Sequence, residues 1–537
     1  MSEKMIPLSF EELLLQACKE YQNTGKMFQV PLKNNEKGIP VGPAAGPHTQ
    51  LAENIVAAYA AGAAYFELKT VQLLYGEKLG IQKPCIYVKN EVFNTEWSSE
   101  LSAKEAMDEY IKAFLLIHVL KKEFGLKHNP EPYFIMSVGY DLKGIRSKVV
   151  DSFLDGMKDA SHTEEWQKDI TFLRENQKSF QNLSMEDIEE INAGSCISDT
   201  VTLSTMHGCP AGEIEQIIMY LLEQKGLHTL VKMNPTLIGE KMTEEILCQK
   251  GYEALSYSQE SFDKNITMTD AVAMIERCGK KADFLGKRFG VKMTNTFPVF
   301  SDGLMKDETM YMSGPALYPL AITAVWQLAE QLQGKISISY SGGADEKNVS
   351  DLLEAGISPV TVSSVLLKPD GYRHISKMIQ EASKSSPQHE GRLDLKKLEQ
   401  LAEKAWSDAY YNKKESRVYK SSENYSSECA KCKNCVDVCP NRANVRVETE
   451  SGAYVLHRNR LCNACGCCSF HCVMGHEPYL EKLSVFEDEE EYRSEDAARA
   501  AILYLEKKKL FRENGEERSI PEYLQNVIQT GIEKGVL

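Results

Sequence analysis

The chain has 537 residues, of which 42% are hydrophobic and 26% charged, and its net charge is −15. A chain of this length exceeds one average domain and can bury a large core. Its negative charge repels phosphate backbones, so we expect no nucleic acid partner.

The N-terminal segment, residues 1–16, mixes acidic with apolar residues and lacks the charged start and apolar core of a signal peptide. No apolar run reaches the ~18 residues of a membrane span, so we expect no membrane partner. Outside the C-terminal region the cysteines are scattered singly and indicate no disulfide framework. Lone thiols fit a reducing compartment, and the predicted location is the cytoplasm.

From about Gly38 to Met378, short apolar strands alternate with helical patterns. Such alternation implies βαβ units and a parallel sheet, and eight units close a TIM barrel. The predicted strands are Ile39–Ala44, Tyr65–Val71, Tyr133–Val138, Thr200–Ser204, Thr229–Met233, Val291–Asn295, Lys335–Tyr340 and Pro359–Ser363. Ala254–Ser258 is a ninth candidate for eight places, and the sequence leaves open which candidate lies outside the barrel.

These elements predict an α/β TIM barrel over residues 1–385 with helical inserts at residues 72–132 and 143–199. Both inserts follow strand C-termini, the face where barrels place active sites. The second insert, with predicted helices Glu164–Phe172 and Met185–Asn192, is either a cap over the site or a solvated decoration. A helical linker (386–426), a small two-cluster ferredoxin-like domain (427–478) and a charged helical tail (479–537) follow. In the tail, Phe486–Tyr492 is predicted to be a solvated face.

The loops after the last two barrel strands consist of small residues. Ser341, Gly342 and Gly343 follow the seventh strand, and Ser363-Ser364 follows the eighth. Glycines let backbone N–H groups approach a ligand closely, and barrels often bind phosphate at these two loops. We therefore predict a phosphate site, to which Ser313-Gly314, just ahead of the helix before the seventh strand, contributes.

Lysines lie near the ends of two predicted strands, Lys69 in the second and Lys232 in the fifth. A lysine in a strand-end run is expensive to bury without a partner. Solvation explains either lysine alone, but two in one barrel favour a bound anion. A reduced flavin fits, because its N1 region becomes negative and needs a cation.

The segment Met206–Glu213 follows the fourth strand and opens a helix. An ordinary thiol, with a pKa near ~8.5, is mostly protonated at neutral pH and can deliver a proton. Cys209 is therefore a candidate general acid, and His207 is a rival; each is also explained as a structural residue. No G-x-G-x-x-G motif follows a strand, so we find no Rossmann dinucleotide site and expect a partner to supply electrons.

Two cysteine runs lie near the C-terminus: Cys429-x-x-Cys432-x-x-Cys435-x-x-x-Cys439-Pro440 and Cys462-x-x-Cys465-x-x-Cys468-x-x-x-Cys472. In the two-cluster ferredoxin pattern, the fourth cysteine of each run ligates the other cluster. We assign one [4Fe–4S] cluster to Cys429, Cys432, Cys435 and Cys472, and the other to Cys462, Cys465, Cys468 and Cys439. Two zinc sites are the alternative, although zinc does not need this three-plus-one spacing. Val473 replaces the proline of the pattern, and Cys467 falls outside it.

Eight motifs occur in order along the barrel: Gly42–Gln50, Glu67–Thr70, Asn94–Ser98, Leu203–Pro210, Val231–Pro235, Met293–Thr296, Tyr311–Gly314 and Ser339–Gly343. With them the chain resembles the FMN-binding barrel of dihydropyrimidine and dihydroorotate dehydrogenases, joined to a ferredoxin domain like that of dihydropyrimidine dehydrogenase. It is more similar still to the N-terminal part of YgfK-type proteins, which carry the label of a selenate reductase subunit. Longer YgfK-type members also have an FAD and NAD(P)H module, for which no motif occurs here.

The resemblance implies FMN as the cofactor. Flavin contacts are implied for Ala44, Ala45, Gly46, Lys69, Thr70 and Lys232, and phosphate contacts for Ser313, Gly314, Ser341, Gly342, Gly343, Ser363 and Ser364. Cys209 resembles the cysteine that protonates the substrate carbon in dihydropyrimidine dehydrogenase. Substrate contacts are expected from Asn94, Glu96, Asp141, Thr202, Thr294, Asn295 and Thr296.

Two positions depart from the dehydrogenase pattern, since Thr202 and Asp141 both replace an asparagine. Asparagine offers a donor and an acceptor, whereas ionised aspartate only accepts. A pyrimidine dione would lose partners here, and a heterocycle richer in N–H donors would gain them.

We therefore expect an oxidoreductase acting on CH–CH or CH–NH groups of an oxopurine-type compound in purine or pyrimidine catabolism. Ferredoxin or a separate NAD(P)H/FAD reductase would feed the clusters, and the sequence leaves open whether the protein forms a homo- or a hetero-oligomer. The alternative is an electron-transfer subunit of a complex like selenate reductase or a molybdenum hydroxylase. A third reading, a dihydrouridine-type RNA-modifying flavoenzyme, conflicts with the net charge of −15.

Overall fold

A computed structural model of the chain describes residues 5–89, 91–95, 98–126, 129–204, 209–384, 392–414, 429–496, 499–505, 508–513 and 515–537. Within these residues, no helix is both long enough and apolar enough to cross a membrane.

Eight parallel strands form the barrel. They are β1 (Val41–Pro43), β2 (Tyr65–Glu67), β3 (Tyr133–Val138), β4 (Thr200–Ser204), β5 (His228–Met233), β6 (Phe289–Met293), β7 (Ser337–Tyr340) and β8 (Val360–Val362). Each strand pairs with its sequence neighbour from β2 to β8, and β8 pairs with β1. The ring closes between β1 and β2, where Ala64 N–H donates to Val41 O at 3.0 Å.

The prediction of a TIM barrel is confirmed, and all eight predicted strands are present. The bounds of β3 and β4 match the prediction, because strands buried on both faces read as continuous apolar runs. The ninth candidate, Ala254–Ser258, forms no strand and lies in the connection between β5 and β6.

Helices surround the barrel. Those of eight or more residues up to the cysteine region are Phe10–Thr24, Ala52–Ala60, Ala103–Phe124, Lys148–Lys158, Glu164–Asn176, Met185–Ala193, Ala211–Met219, Glu240–Gln249, Met268–Phe284, Tyr318–Gln331, Arg373–Ala382 and Leu395–Ser407. The longest, Ala103–Phe124, begins at a capping box in which Ser102 and Glu105 each accept the other's backbone N–H. It ends at Gly125, whose φ of +62° favours glycine.

The first insert differs from the helical prediction, because it contains strands Ile86–Val88 and Val92–Asn94 before helix Ala103–Phe124. These strands join Phe297–Phe300 and Thr309–Ser313, from the connection after β6, in a four-stranded antiparallel sheet. Strands that follow β2 and β6 emerge on the same face of the barrel. The four-stranded sheet therefore covers part of the face where the predicted site lies.

The second insert is helical, as predicted, but its position differs from both alternatives. Its helices pack against the outer helix Ala103–Phe124. Their apolar side chains Phe153, Trp166 and Leu173 are buried there. The carboxylate of Glu123 accepts backbone N–H bonds from Gln181, Asn182 and Leu183. The insert is thus an outer layer of the barrel.

The tail is not wholly helical. Its strands β11 (Ser484–Phe486), β12 (Ala501–Tyr504), β13 (Lys509–Glu513) and β14 (Glu516–Arg518) extend a sheet that begins with β9 (Asn444–Thr449) and β10 (Gly452–Arg458) of the cysteine-rich region. Helix Glu522–Glu533 packs on β9. Phe486 and Tyr492, predicted to lie on a solvated face, are buried. The strands gain partners far away in the sequence, which a local charge pattern does not reveal.

Candidate functional site

A cavity opens at the carboxyl ends of the barrel strands, partly under the four-stranded sheet. Most residues predicted for the flavin and its phosphate line it, together with three of those predicted for the substrate. These wall residues are Ala44, Ala45, Gly46, Lys69, Lys232, Ser313, Gly314, Ser341, Gly342, Gly343, Ser363 and Ser364, and the substrate candidates Asn94, Thr294 and Thr296.

Other predicted residues are not part of the cavity wall: Thr70, Asp141, Thr202, Cys209 and Asn295. Thr70 Oγ1 lies 2.9 Å from Ser137 Oγ on β3. Thr202 is buried, and its hydroxyl has no hydrogen-bond partner among the described residues. Glu96 and His207 lie outside the part of the chain that the structure describes.

At two glycines of the cavity wall, a neighbouring loop approaches the main chain closely. Gly343 has a φ of +79°, and a Cβ there would lie 2.4 Å from the carbonyl oxygen of Gly314. A Cβ at Gly46 would lie 2.3 Å from Ser363 Oγ. The wall at these points is therefore backbone and small hydroxyl groups, which suits a ligand that approaches the main chain closely.

A lysine that sequence reasoning missed, Lys292 on β6, is fully buried in the barrel interior. Its Nζ lies 2.8 Å from Glu67 Oε2 on β2 and donates to Ser339 Oγ at 3.0 Å and Thr361 Oγ1 at 2.6 Å. Burial lowers the pKa of Lys292 to about 8; Glu67 opposes that shift, and the positive charge of Lys232 adds to it. Lys292 and Lys232 are register neighbours on β6 and β5, and Lys232 lines the cavity, so the buried Lys292 lies beside a lysine of the cavity wall.

Sequence reasoning also missed the charged outer end of the cavity, formed by Asp345, Glu346, Lys368, His374 and Tyr410. Glu346 pairs with His374, and Asp345 accepts a hydrogen bond from the Tyr410 hydroxyl at 2.6 Å. No described residue forms a hydrogen bond or ion pair with the ammonium group of Lys368. Burial lowers the pKa of Lys368, with Asp345 opposing the shift. A half-buried cation without such a partner marks a place for an anionic ligand.

Cys209 is half-buried and lies just ahead of helix Ala211–Met219. Burial raises the pKa of its thiol to about 11, and the carboxylates of Glu213 and Asp141 add to the rise. Asp141 also caps the short helix Leu142–Ile145 by accepting the Gly144 N–H at 2.7 Å. The thiol is therefore protonated at neutral pH, which is the form that a proton donor requires.

The cysteines form two groups in space. Cys429, Cys432 and Cys472 are near enough to Cys435 to raise the pKa of its thiol, after the larger effect of burial. Cys439 acts in the same way on Cys462, Cys465 and Cys468. In the described ranges, no three His, Cys, Asp or Glu side chains converge as a single-ion metal site requires. A cubane distributes its ligands over four irons and needs no such convergence.

The second group packs against the barrel beside the cavity. All four of its cysteines are buried. The carbonyl oxygen of Cys465 accepts the backbone N–H of Cys85 at 3.1 Å and that of Ile86 at 3.0 Å. Ile86 itself lines the cavity. One residue thus connects this group of thiols to the cavity wall.

Comparison with known proteins gives the family. Residues 15–413 match the family described as oxidoreductase YgfK, N-terminal TIM-barrel domain. YgfK of Escherichia coli (strain K12) is 39% identical in an alignment of 439 residues that covers 77% of this chain and 42% of that protein, and YgfK of Escherichia coli O157:H7 matches with the same figures. The chain thus spans less than half the length of the curated relatives that it matches.

Among solved structures, DHODH from Eimeria tenella in complex with ferulenol aligns with a TM-score of 0.40 and 15% identity, over 69% of this chain and 89% of that chain. The sequence match to YgfK is much stronger and runs through the whole barrel, including the loops that form the cavity. The chain belongs to the family of oxidoreductase YgfK, whose N-terminal TIM-barrel domain it contains.

Proposed function

We propose that the protein is an FMN- and [4Fe–4S]-dependent oxidoreductase that acts on a C=C or C=N bond of an N-heterocycle. The observation that carries the proposal is the cavity wall. It combines a small-residue cradle, two strand-end lysines and, through Ile86, contact with the second group of cysteines. In this proposal, the electron path and the flavin site would adjoin each other.

The residues present fit FMN. Gly46 and Gly343 let neighbouring loops close into a small-residue wall, because a Cβ there would meet Ser363 Oγ and the Gly314 carbonyl oxygen. Lys69 and Lys232 supply positive charge to the same wall. The ammonium of Lys368, which no described residue binds, suits a phosphate at the outer end. FMN bound here would supply a group that accepts electrons singly and passes two of them on as hydride.

The chain's own groups would then perform the remaining tasks. Lys232 would balance negative charge at the flavin ring, and Thr294 and Thr296 would orient the substrate. Cys209 would donate a proton, and the nearby carboxylates of Asp141 and Glu213 favour its protonated form.

An oxopurine-type compound of purine or pyrimidine catabolism is the proposed substrate. Asp141 and Thr202 replace two asparagines of the dehydrogenase pattern, and a carboxylate accepts hydrogen bonds without donating any. A ring with several N–H donors matches that change. The electron donor would be ferredoxin or a separate NAD(P)H/FAD reductase.

The test is a substrate screen with the holoprotein. We would purify it anaerobically, measure iron and FMN, photoreduce it and add oxopurines and pyrimidines while following flavin absorbance. Rapid flavin oxidation by one heterocycle, with no partner protein present, is the expected result. A fully loaded protein that no heterocycle oxidises would instead favour the relay subunit of a molybdenum enzyme, and a preparation without iron or flavin would refute both.

Replacing Lys368 should distinguish FMN from riboflavin. We expect Lys368→Met to weaken FMN binding by about tenfold or more, the loss typical of a hydrogen bond to a charged group. Riboflavin, which has no phosphate, should bind the variant and the wild type equally. Fluorescence titration of the apoprotein with both ligands measures the difference.

The matched control is Lys347→Met, since Lys347 lies in the neighbouring loop over the Tyr410 ring, 3.5 Å from its centroid, and does not line the cavity. Equal losses of FMN and riboflavin affinity in Lys368→Met would contradict a phosphate contact.

A further inference from the structure

The loop that follows β8 lies between the cavity and the cysteine-rich region. We name residues 363–372 the phosphate loop, because Ser363, Ser364 and Lys368 line the part of the cavity that is proposed to hold the phosphate. The hydroxyl of Ser364 donates to Ser313 Oγ, another residue of the cavity wall, at 2.9 Å. One side of the phosphate loop is therefore part of the proposed ligand site.

The same loop approaches the cysteine-rich region very closely at Gly371. This glycine has a φ of +49°, and a Cβ there would lie 2.2 Å from the carbonyl oxygen of Asp437. Asp437 is the last residue of the short helix Asn434–Asp437, which contains Cys435. Because the oxygen belongs to the backbone, a side chain at Gly371 would force one of the two segments to move.

Two further contacts join the phosphate loop to the cysteine-rich region. The Cys467 thiol, which falls outside the ligand pattern, lies 3.6 Å from the carbonyl oxygen of Leu367 and 3.6 Å from that of Val438, and it can donate to either. The guanidinium carbon of Arg442 lies 5.6 Å from the centre of the Tyr372 ring, within the range of a cation–π contact. Both Cys467 and Tyr372 are buried. The loop is thus held by residues from both cysteine runs.

A tight turn connects the close approach at Gly371 to the ammonium group in the cavity. The Gly371 N–H donates to the carbonyl oxygen of Lys368 at 3.0 Å. His374 Nε2 lies 2.8 Å from the carbonyl oxygen of Pro369, within that turn. Lys368 and Gly371 are therefore parts of one hydrogen-bonded turn, and a displacement at the Asp437 contact would move Lys368 as well.

We propose that the phosphate loop couples FMN binding to docking of the cysteine-rich region, with Gly371 and Cys467 as positioning residues for Lys368. This inference rests on the proposed function, because it requires the FMN phosphate at this part of the cavity. The contacts with the cysteine-rich region hold the loop where Lys368 lines the cavity. Coupling between two sites is reciprocal, so FMN stabilises docking by the same factor by which docking raises the FMN affinity.

The test compares FMN with riboflavin, because riboflavin lacks the phosphate that the loop would hold. In flavin-free protein with its full iron content, Gly371→Ala should weaken FMN binding by about fivefold or more, the lower end of typical coupling between sites. The riboflavin affinity should stay the same, because the residues around the ring are unchanged. Cys467→Ala removes the thiol without creating a close contact and should give a smaller loss of the same kind. It decides the question if Gly371→Ala does not fold.

The matched control is Phe470→Leu. Phe470 follows Cys467 in the same short helix, but its ring packs against Tyr87 of the first insert, with 4.8 Å between ring centres. This variant disturbs the same interface away from the phosphate contact, so the ratio of FMN to riboflavin affinity should equal that of the wild type.

Hydrogen exchange of the iron-loaded wild type measures the reciprocal effect. Saturating FMN, compared with saturating riboflavin, should slow amide exchange in residues 363–374 and also in residues 434–442, across the contact. Protection confined to the loop, or an unchanged ratio of FMN to riboflavin affinity in the folded variants, would overturn the proposal. A wild type that binds FMN no more tightly than riboflavin would refute the phosphate site of the proposed function instead, so the two failures are distinguishable.

Discussion

Replacing Cys209 by alanine is expected to stop turnover while the bound flavin is still reduced by the electron donor. The thiol is the proposed proton source, and a positioned general acid contributes roughly 10²–10⁴-fold to a rate. Electron delivery through the two groups of cysteines does not involve Cys209, which lies near Glu213 and Asp141. Steady-state assays measure the loss of turnover, and stopped-flow absorbance measures whether the flavin is still reduced.

The control for this variant is Cys196→Ala, because Cys196 is exposed in the connection before β4 and has no proposed role. Cys209→Ser should remain slow, since a serine hydroxyl is a far weaker acid than a thiol. Turnover of Cys209→Ala at the wild-type rate would remove this residue from the mechanism and leave His207 as the remaining candidate acid.

Replacing Lys292 by methionine should destabilise the barrel more than any other single change considered. It leaves Glu67 as an uncompensated charge in the interior, and breaking a buried ion pair costs about 3–5 kcal/mol. Thermal unfolding of wild type and variant compares them directly. The double variant Lys292→Met/Glu67→Leu removes both charges and should recover much of the loss. A double variant less stable than the single would contradict this account.

The same pair predicts a dependence of stability on pH. Because burial lowers the pKa of Lys292 to about 8 from an ordinary value of 10.5, the unfolded chain binds more protons than the folded one between these values. Stability relative to the double variant, which lacks both groups, should therefore rise with pH across this window. The limiting slope is about 1.4 kcal/mol per pH unit. A flat or falling difference would show that Lys292 keeps its ordinary pKa.

The role of Lys292 could not be predicted from the sequence. The sequence contains Val-Lys-Met twice, at residues 231–233 and 291–293. Of the two lysines, only Lys232, in the first copy, is predicted to contact the flavin. The repeat was a usable signal for a second strand-end lysine. The ion pair of Lys292 could not be predicted, because its partner, Glu67, lies on a strand more than two hundred residues away in the sequence. Only the order of strands around the barrel brings the two side chains together.

In the tail, the local sequence pattern predicted the wrong secondary structure. Its charged sequence indicated helix, yet Ser484–Phe486 and Ala501–Tyr504 are strands that continue the sheet of the cysteine-rich region. Strand formation there depends on β10, which lies earlier in the chain. Local charge carries no information about such pairing.

Local sequence pattern was enough to predict the barrel architecture, the small-residue loops after β7 and β8, and the spacing of the cysteine runs, although it did not show which of the nine strand candidates lies outside the barrel. Each of these depends on residues close together in the chain, so local pattern suffices. Only the three-dimensional structure shows that Lys368 lines the cavity and that the Cys465 carbonyl accepts the Ile86 N–H. Those contacts join segments that only the closed barrel and its docked C-terminal region bring within reach, and no local periodicity encodes them.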